Sequence, residues 1–112
     1  MHELSLAENL REIIEEESSR QGFARVHTVR LSVGELSCVE PEALRFCFDE
    51  VMRGGLVEGA LLEIETVKGE GHCRRCDLEV PMSELYQPCP QCHSPLEVIR
   101  GLEIRIEDLA VS

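Results

Sequence analysis

Apolar residues recur at helical spacing in two parts of this chain. Residues 4–20 carry an apolar face opposite a face rich in glutamate, which predicts an amphipathic helix that stops near Gly22. This face comprises Leu6, Ala7, Leu10, Ile13 and Ile14. A second helix is predicted to begin at Pro41, because the first helical position tolerates the missing N–H of proline, and to end at Gly54-Gly55. Its apolar face comprises Leu44, Phe46, Cys47, Phe48, Val51 and Met52.

Three other segments alternate apolar and polar residues, as half-buried strands do. They are residues 26–33, 62–67 and 102–107, and in the first of them His27 falls on the apolar side. The apolar residues of 96–99 form a strand or ribbon that leads into the last segment. The order of helices and strands predicts an α+β fold, in which a small three-stranded sheet is covered by two helices.

Two Cys-x-x-Cys pairs, Cys73/Cys76 and Cys89/Cys92, stand twelve residues apart between the second and third predicted strands. This spacing is typical of a tetrahedral zinc site, because each short turn directs two thiolates towards one ion. Four thiolates leave the metal no open position, so the site is interpreted as structural. Two disulfides and a redox dithiol of the thioredoxin kind are the alternative interpretations. A redox dithiol, however, needs one pair only.

The cysteine pairs also divide the chain. Residues 69–95 are predicted to form an inserted zinc-ribbon-like domain that binds Zn²⁺ through its four cysteines. Residues 1–68 and 96–112 are predicted to form the other, discontinuous domain, since the first helices and strands cannot close a core without the last strand.

Composition and charge narrow the classes of function. The chain has 112 residues, of which 43% are hydrophobic, and its formal charge is −11, from 22 acidic and 11 basic residues. So acidic a chain repels the phosphates of nucleic acid, and no apolar run reaches membrane-spanning length. The cysteines indicate a reducing compartment, so a soluble cytoplasmic protein is expected. The sequence shows no phosphate-binding glycine loop and no nucleophile–base pair, so none of these motifs indicates an enzyme.

The first residues offer a second set of metal ligands. A histidine at position 2, beside a free α-amine, can form a chelate from the amine, a backbone amide nitrogen and the imidazole. Such nitrogen sets suit square-planar Ni(II) or Cu(II). The alternative is that His2 only stands near the start of a helix.

Several short motifs together resemble one known family. They are Met1-His2-Glu3-Leu4-Ser5, Val33-Gly34-Glu35-Leu36, Pro41-Glu42-Ala43-Leu44-Arg45-Phe46 and the two cysteine pairs. In this combination, over essentially the whole chain, the sequence closely resembles the HypA/HybF family, whose members are nickel metallochaperones for [NiFe]-hydrogenase and, in some organisms, urease. The resemblance implies a nickel-binding α/β domain with an inserted structural zinc domain.

The resemblance also implies ligands and partners. It implies that His2 binds Ni²⁺ as cargo with the Met1 amine and the amides of His2 and Glu3, that Glu40 is a further candidate, and that the four cysteines are the zinc ligands. The implied partners are the accessory GTPase of the maturation system and the hydrogenase large-subunit precursor, without nucleic acid or membrane. The sequence leaves open whether the protein forms a homodimer. The competing hypothesis is a zinc-ribbon adaptor for protein interactions that delivers no nickel.

Overall fold

The computed structural model describes residues 2–112, and Met1 lies outside the described residues. The elements follow one another as α1 (Glu3–Gln21), β1 (Val26–Gly34), a 3₁₀ turn η1 (Glu35–Ser37), α2 (Pro41–Val51), β2 (Leu61–Val67), β3 (Gly69–Cys73), β4 (Leu78–Met82), β5 (Glu97–Arg100) and β6 (Ile104–Val111).

Both helices were predicted from the sequence, and their ends have local causes. Helix α1 stops at Gly22, which adopts a left-handed conformation (φ 80°) and donates its N–H to Ser18. Helix α2 begins at Pro41 as predicted but ends at Val51, before the predicted glycine pair, with Met52 as its C-cap. Neither helix is long and apolar enough to cross a membrane, in the part of the chain that is described.

The strands form two three-stranded sheets. The first has the order β2-β1-β6, which confirms the predicted three-stranded sheet with two helices. The second has the order β4-β3-β5, and β3 pairs antiparallel with both of its neighbours. Gly71, for example, lies opposite Val80 on β4 and Val98 on β5. The cysteine-rich segment is thus built on a small sheet as well as on turns.

The chain folds into two compact units. The first takes in the described residues up to Leu31, together with Val39–Ile64 and Ile106–Ser112. The second comprises Ser32–Cys38 and Glu65–Arg105, and it carries the four cysteines. Its sheet includes β5, at residues 97–100.

Aliphatic side chains from both helices and from β1 form the core of the first unit. The buried residues include Ala7, Leu10, Ile14, Val26, Val29, Leu31, Leu44 and Phe48. Two helix residues assigned to the apolar faces are exposed instead: Ile13 is 48% exposed and Phe46 is 70% exposed. Phe46 follows Leu44 by two positions, and about 200° of helical rotation turns it away from the core.

The prediction for His27 was also wrong. Its side chain is exposed, and its Nε2 lies 2.7 Å from the hydroxyl oxygen of Ser112. The neighbouring Val26 is buried in its place, and strict alternation also fails at the other end of the strand, where Leu31, Ser32 and Val33 are all buried.

Three glycines fix the backbone of the second unit. A Cβ on Gly34 would lie 2.1 Å from the carbonyl oxygen of Gly101, and one on Gly101 would lie 2.5 Å from the Cα of Gly69. Real Cβ atoms do not approach so closely. The backbone at Gly101 therefore lies between Gly34 and the start of β3 at distances that only glycine permits.

Candidate metal centres

The four cysteines of the second unit form one cluster. Cys73 ends β3, Cys76 lies in the turn that follows, and Cys89 and Cys92 lie between β4 and β5. All four Sγ atoms lie within 4.8 Å of one another. Tetrahedral zinc bonded to four sulfurs at about 2.3 Å requires sulfur–sulfur distances of about 3.8 Å. The donor set and its spacing are therefore consistent with a zinc site.

The alternative interpretations fit this cluster less well. All six cysteines are free, and the Cys73 and Cys92 sulfurs are 3.5 Å apart, far beyond a disulfide bond of about 2 Å. Each pair also lies in a turn rather than at the N-terminus of a helix, where redox dithiols are placed.

The two cysteine turns share one backbone feature. The residue that follows the second cysteine of each pair is left-handed: Asp77 has φ 54° and His93 has φ 61°. In the first turn the Cys76 N–H donates to the Cys73 sulfur over 3.4 Å. In the second, the His93 N–H donates to the Cys89 carbonyl over 2.9 Å. Both turns thereby direct their sulfurs towards one point.

Ser94 is a residue of this site that sequence reasoning missed. Its hydroxyl and its N–H donate to the Cys92 sulfur, which lowers the pKa of Cys92 to about 6. Hydrogen bonding to Cys92, with burial, raises the pKa of Cys76 to about 12. The only sign of Ser94 in the sequence is a hydroxyl residue two positions after a cysteine pair, which is a weak signal.

The histidines next to the cysteines stand outside the cluster. His72 Nε2 lies 3.0 Å from the Asp77 carboxylate, so its ring has a partner other than a metal. His93 is exposed. Neither belongs to the group of four ligand atoms.

The start of the first unit is the second candidate centre. His2 is the N-cap of α1, where its carbonyl accepts the N–H of Leu6 over 3.1 Å. Its side chain is exposed and makes no capping hydrogen bond. The imidazole is thus not used by the helix. Met1, the other predicted nitrogen donor, lies outside the described residues.

Two carboxylates named as nickel candidates each hold a backbone N–H. Glu3 Oε2 accepts the N–H of Glu40 over 3.2 Å, and Glu40 Oε2 accepts the N–H of Ala43 over 2.8 Å as the N-cap of α2. The hydrogen bond from the Glu40 N–H holds the pKa of Glu3 below its ordinary value. A bond from the N–H of Glu3 to its own carboxylate has a smaller effect in the same direction. The structure thus brings Glu3 and Glu40 together within the first unit.

Comparison with known proteins decides the family. A family model described as hydrogenase/urease nickel incorporation, metallochaperone, hypA, matches residues 1–111. The chain belongs to the HypA family. The resemblance read from the sequence motifs is thereby confirmed.

Individual members of the HypA family match over almost their full length. The chain is 51% identical over 112 residues to hydrogenase maturation factor HypA of Acidithiobacillus ferrooxidans and 46% identical to that of Methylocella silvestris, covering 99% of each chain in both cases. The solution structure of the nickel metallochaperone HypA from Helicobacter pylori superposes with a TM-score of 0.72 at 26% identity, covering 99% of this chain and 97% of that one.

Membership of the HypA family settles the broad class of function. The family consists of metallochaperones for nickel incorporation, so the chain is a maturation factor and not an enzyme. A role in hydrogenase maturation implies interaction with the maturation system. The residues that hold each metal are a separate question.

Proposed function

We propose that the protein binds Ni(II) at its N-terminus and delivers it during maturation of [NiFe]-hydrogenase. The observation that carries this proposal is the exposed His2 imidazole, which the helix does not use as a cap. The other proposed ligands are the Met1 amine and the backbone nitrogens of His2 and Glu3, which together make a planar nitrogen set suited to Ni(II).

The position of these residues at the start of α1 supports the amide ligands. Glu3 is the first helical residue, so its N–H has no carbonyl acceptor one turn earlier. Nickel can replace the proton of this amide without breaking a backbone hydrogen bond of the helix; only the contact of this N–H with the Glu3 carboxylate is lost. Further along the helix, from Leu6 onwards, the same exchange would break one.

The proposed role of the two carboxylates is to hold this chain end. Glu40 is a candidate nickel ligand, but its carboxylate already caps α2, and ligation would remove that cap. Glu3 is bound in the same way by the Glu40 N–H. A site with few side-chain ligands suits a carrier, which must release its cargo.

The second metal in the proposal is Zn²⁺, bound by Cys73, Cys76, Cys89 and Cys92. It is the resident ion of the second unit, and four thiolates leave it no position for a substrate. Its role is therefore to stabilise the fold of the second unit. Ser94 in turn stabilises the Cys92 thiolate.

The proposed partners are the accessory GTPase of the maturation system and the precursor of the hydrogenase large subunit. Cytoplasmic location, delivery to urease and assembly as a homodimer rest on the sequence and the family resemblance alone. They stay predictions.

The competing function, a zinc-ribbon adaptor that carries no nickel, makes a different prediction about the chain start. Nickel titration should compare the native-start protein with His2→Ala and with a form extended by one residue before Met1. A carrier loses nickel binding in both variants while it keeps its zinc and its circular dichroism spectrum. Equal nickel binding by all three forms would overturn the proposal.

A further inference from the structure

A groove of about 380 Å³, lined by apolar and acidic side chains, lies within the first unit, between α1 and β6. Its apolar lining comprises Ile13, Ile14, Phe23, Ile106, Leu109 and Val111. Ile13 is 48% exposed and Val111 is 41% exposed. None of these residues belongs to either candidate metal centre. Part of the apolar lining is therefore open to solvent and can contact a partner.

The outer edge of β6 borders the same groove. This strand is the last in the order β2-β1-β6, and no strand within residues 2–112 pairs with its outer side. It is eight residues long and therefore presents a row of backbone groups to which one more strand can bind. Groove and edge together offer both side-chain pockets and main-chain hydrogen bonds.

The charge around the groove indicates what can enter it. Its polar lining includes Glu17, Glu107 and Asp108, and no basic side chain is found among the described lining residues. Helix α1 and strand β6 together carry eight acidic and three basic residues. Exposed ion pairs join Glu17 to Arg20 and Asp108 to Arg30, and such pairs exchange at little cost.

A second copy of the chain fits this surface poorly. It would bring the same acidic strand to the same acidic groove, and both copies carry a formal charge of −11. Like charges on paired strands are destabilising. A basic segment, in contrast, gains attraction in its approach and in its final position.

We propose that the groove and the outer edge of β6 form a docking surface for an extended, basic, amphipathic segment of a partner protein. The segment adds to the β2-β1-β6 sheet as a fourth strand. Its main chain binds the edge, and alternate apolar side chains enter the groove towards Ile13. The basic side chains between them point to the opposite face of the sheet and reach the exposed carboxylate of Asp108. This surface is independent of both metals.

A synthetic peptide in which Val and Lys alternate is a direct probe. Fluorescence anisotropy should show that this peptide binds the full-length zinc-loaded protein. Two matched peptides, one alternating Val with Glu and the other alternating Ser with Lys, should not bind. Ile13→Ser should weaken binding by about tenfold, because the peptide then buries less apolar surface. Phe46→Ser is the matched control, since it removes an exposed apolar side chain outside the groove and should leave the affinity unchanged.

Hydrogen exchange and sedimentation complete the test. The peptide should slow exchange of the β6 amides, and Val111→Ser replaces Ile13→Ser if the latter disturbs the fold. The proposal is overturned if both groove variants bind like the parent, if the Val–Glu peptide binds equally well, or if protection falls outside β6. A dimer in sedimentation that Ile13→Ser abolishes would assign the groove to a second copy and would also overturn it.

Discussion

The carboxylate of Glu3 accepts the backbone N–H of Glu40 over 3.2 Å, a bond between residues 37 positions apart. It ties the first turn of α1 to the residue that caps α2. His2, the proposed nickel ligand, directly precedes Glu3. The bond therefore limits the freedom of the chain end at which nickel is proposed to bind, without requiring either carboxylate to touch the metal.

Glu3→Gln and Glu3→Ala separate these two roles. The side-chain carbonyl of Gln can still accept the Glu40 N–H, so Glu3→Gln should bind nickel within about threefold of the parent. Glu3→Ala loses the bond and should bind about three- to tenfold more weakly, the range expected of one hydrogen bond. Competition titration with a chromophoric chelator measures both. An equal, large loss in the two variants would make the Glu3 carboxylate a ligand.

Glu40 can be tested in the same manner through the helix that it caps. Glu40→Ala removes the cap and should lower the free energy of unfolding by about 1 kcal/mol in urea, whereas Glu40→Ser keeps a good N-cap and should lower it much less. Neither change should reduce nickel affinity more than a few fold if the residue acts only as a cap. Strong loss of nickel in both variants, including the stable one, would assign the Glu40 carboxylate to the metal.

The lowered pKa of Glu3 makes a prediction about acid stability. Because the folded state holds this pKa below the ordinary value of 4.5, the stabilisation is present above about 4.5 and is lost as the pH falls through the folded pKa. The urea midpoints of the parent and of Glu3→Gln should therefore depend differently on pH in this window and run in parallel above it. If the urea midpoints of the two proteins ran in parallel at every pH, the result would contradict the hydrogen bond from the Glu40 N–H to the Glu3 carboxylate.

The four-cysteine cluster should respond to its own variants. Cys89→Ala leaves three thiolates and should abolish tight zinc binding and unfold the second unit locally, as judged by atomic absorption and amide spectra. Full zinc retention with an unchanged spectrum would exclude Cys89 as a ligand.

Ser94→Ala should keep the fold but release zinc to a chelator about tenfold faster, because it removes the hydroxyl donor to the Cys92 thiolate.

The sequence predicted what depends on local period and spacing. Both helices, the three-stranded sheet and the four cysteines followed from apolar positions and from two short motifs. The family, in turn, followed from a combination of motifs. Each helix, each strand and each cysteine pair is carried by residues near one another in the chain, so a single sequence is sufficient to predict these elements.

What the sequence did not predict depends on tertiary neighbours. Alternation put His27 on the buried side of its strand, yet its ring reaches Ser112 at the far end of the chain. Neither the bond from Glu40 to Glu3 nor the pairing of β5 with β3 has a local signal. Ser94 was passed over because a lone hydroxyl beside a cysteine pair is uninformative until its donors are seen to reach a sulfur.

The number of protons released per nickel tests the proposed site most directly. Protons compete with a metal ion for imidazole and amine nitrogens, and amide nitrogens lose their protons only to the metal. Calorimetry in two buffers of different ionisation enthalpy gives the count, and affinity measured at several pH values supports it. We expect two or more protons per nickel at neutral pH, and affinity that falls steeply from about pH 8 to pH 6. A count near zero with affinity flat to about pH 6 would contradict the nitrogen site and assign nickel to carboxylates.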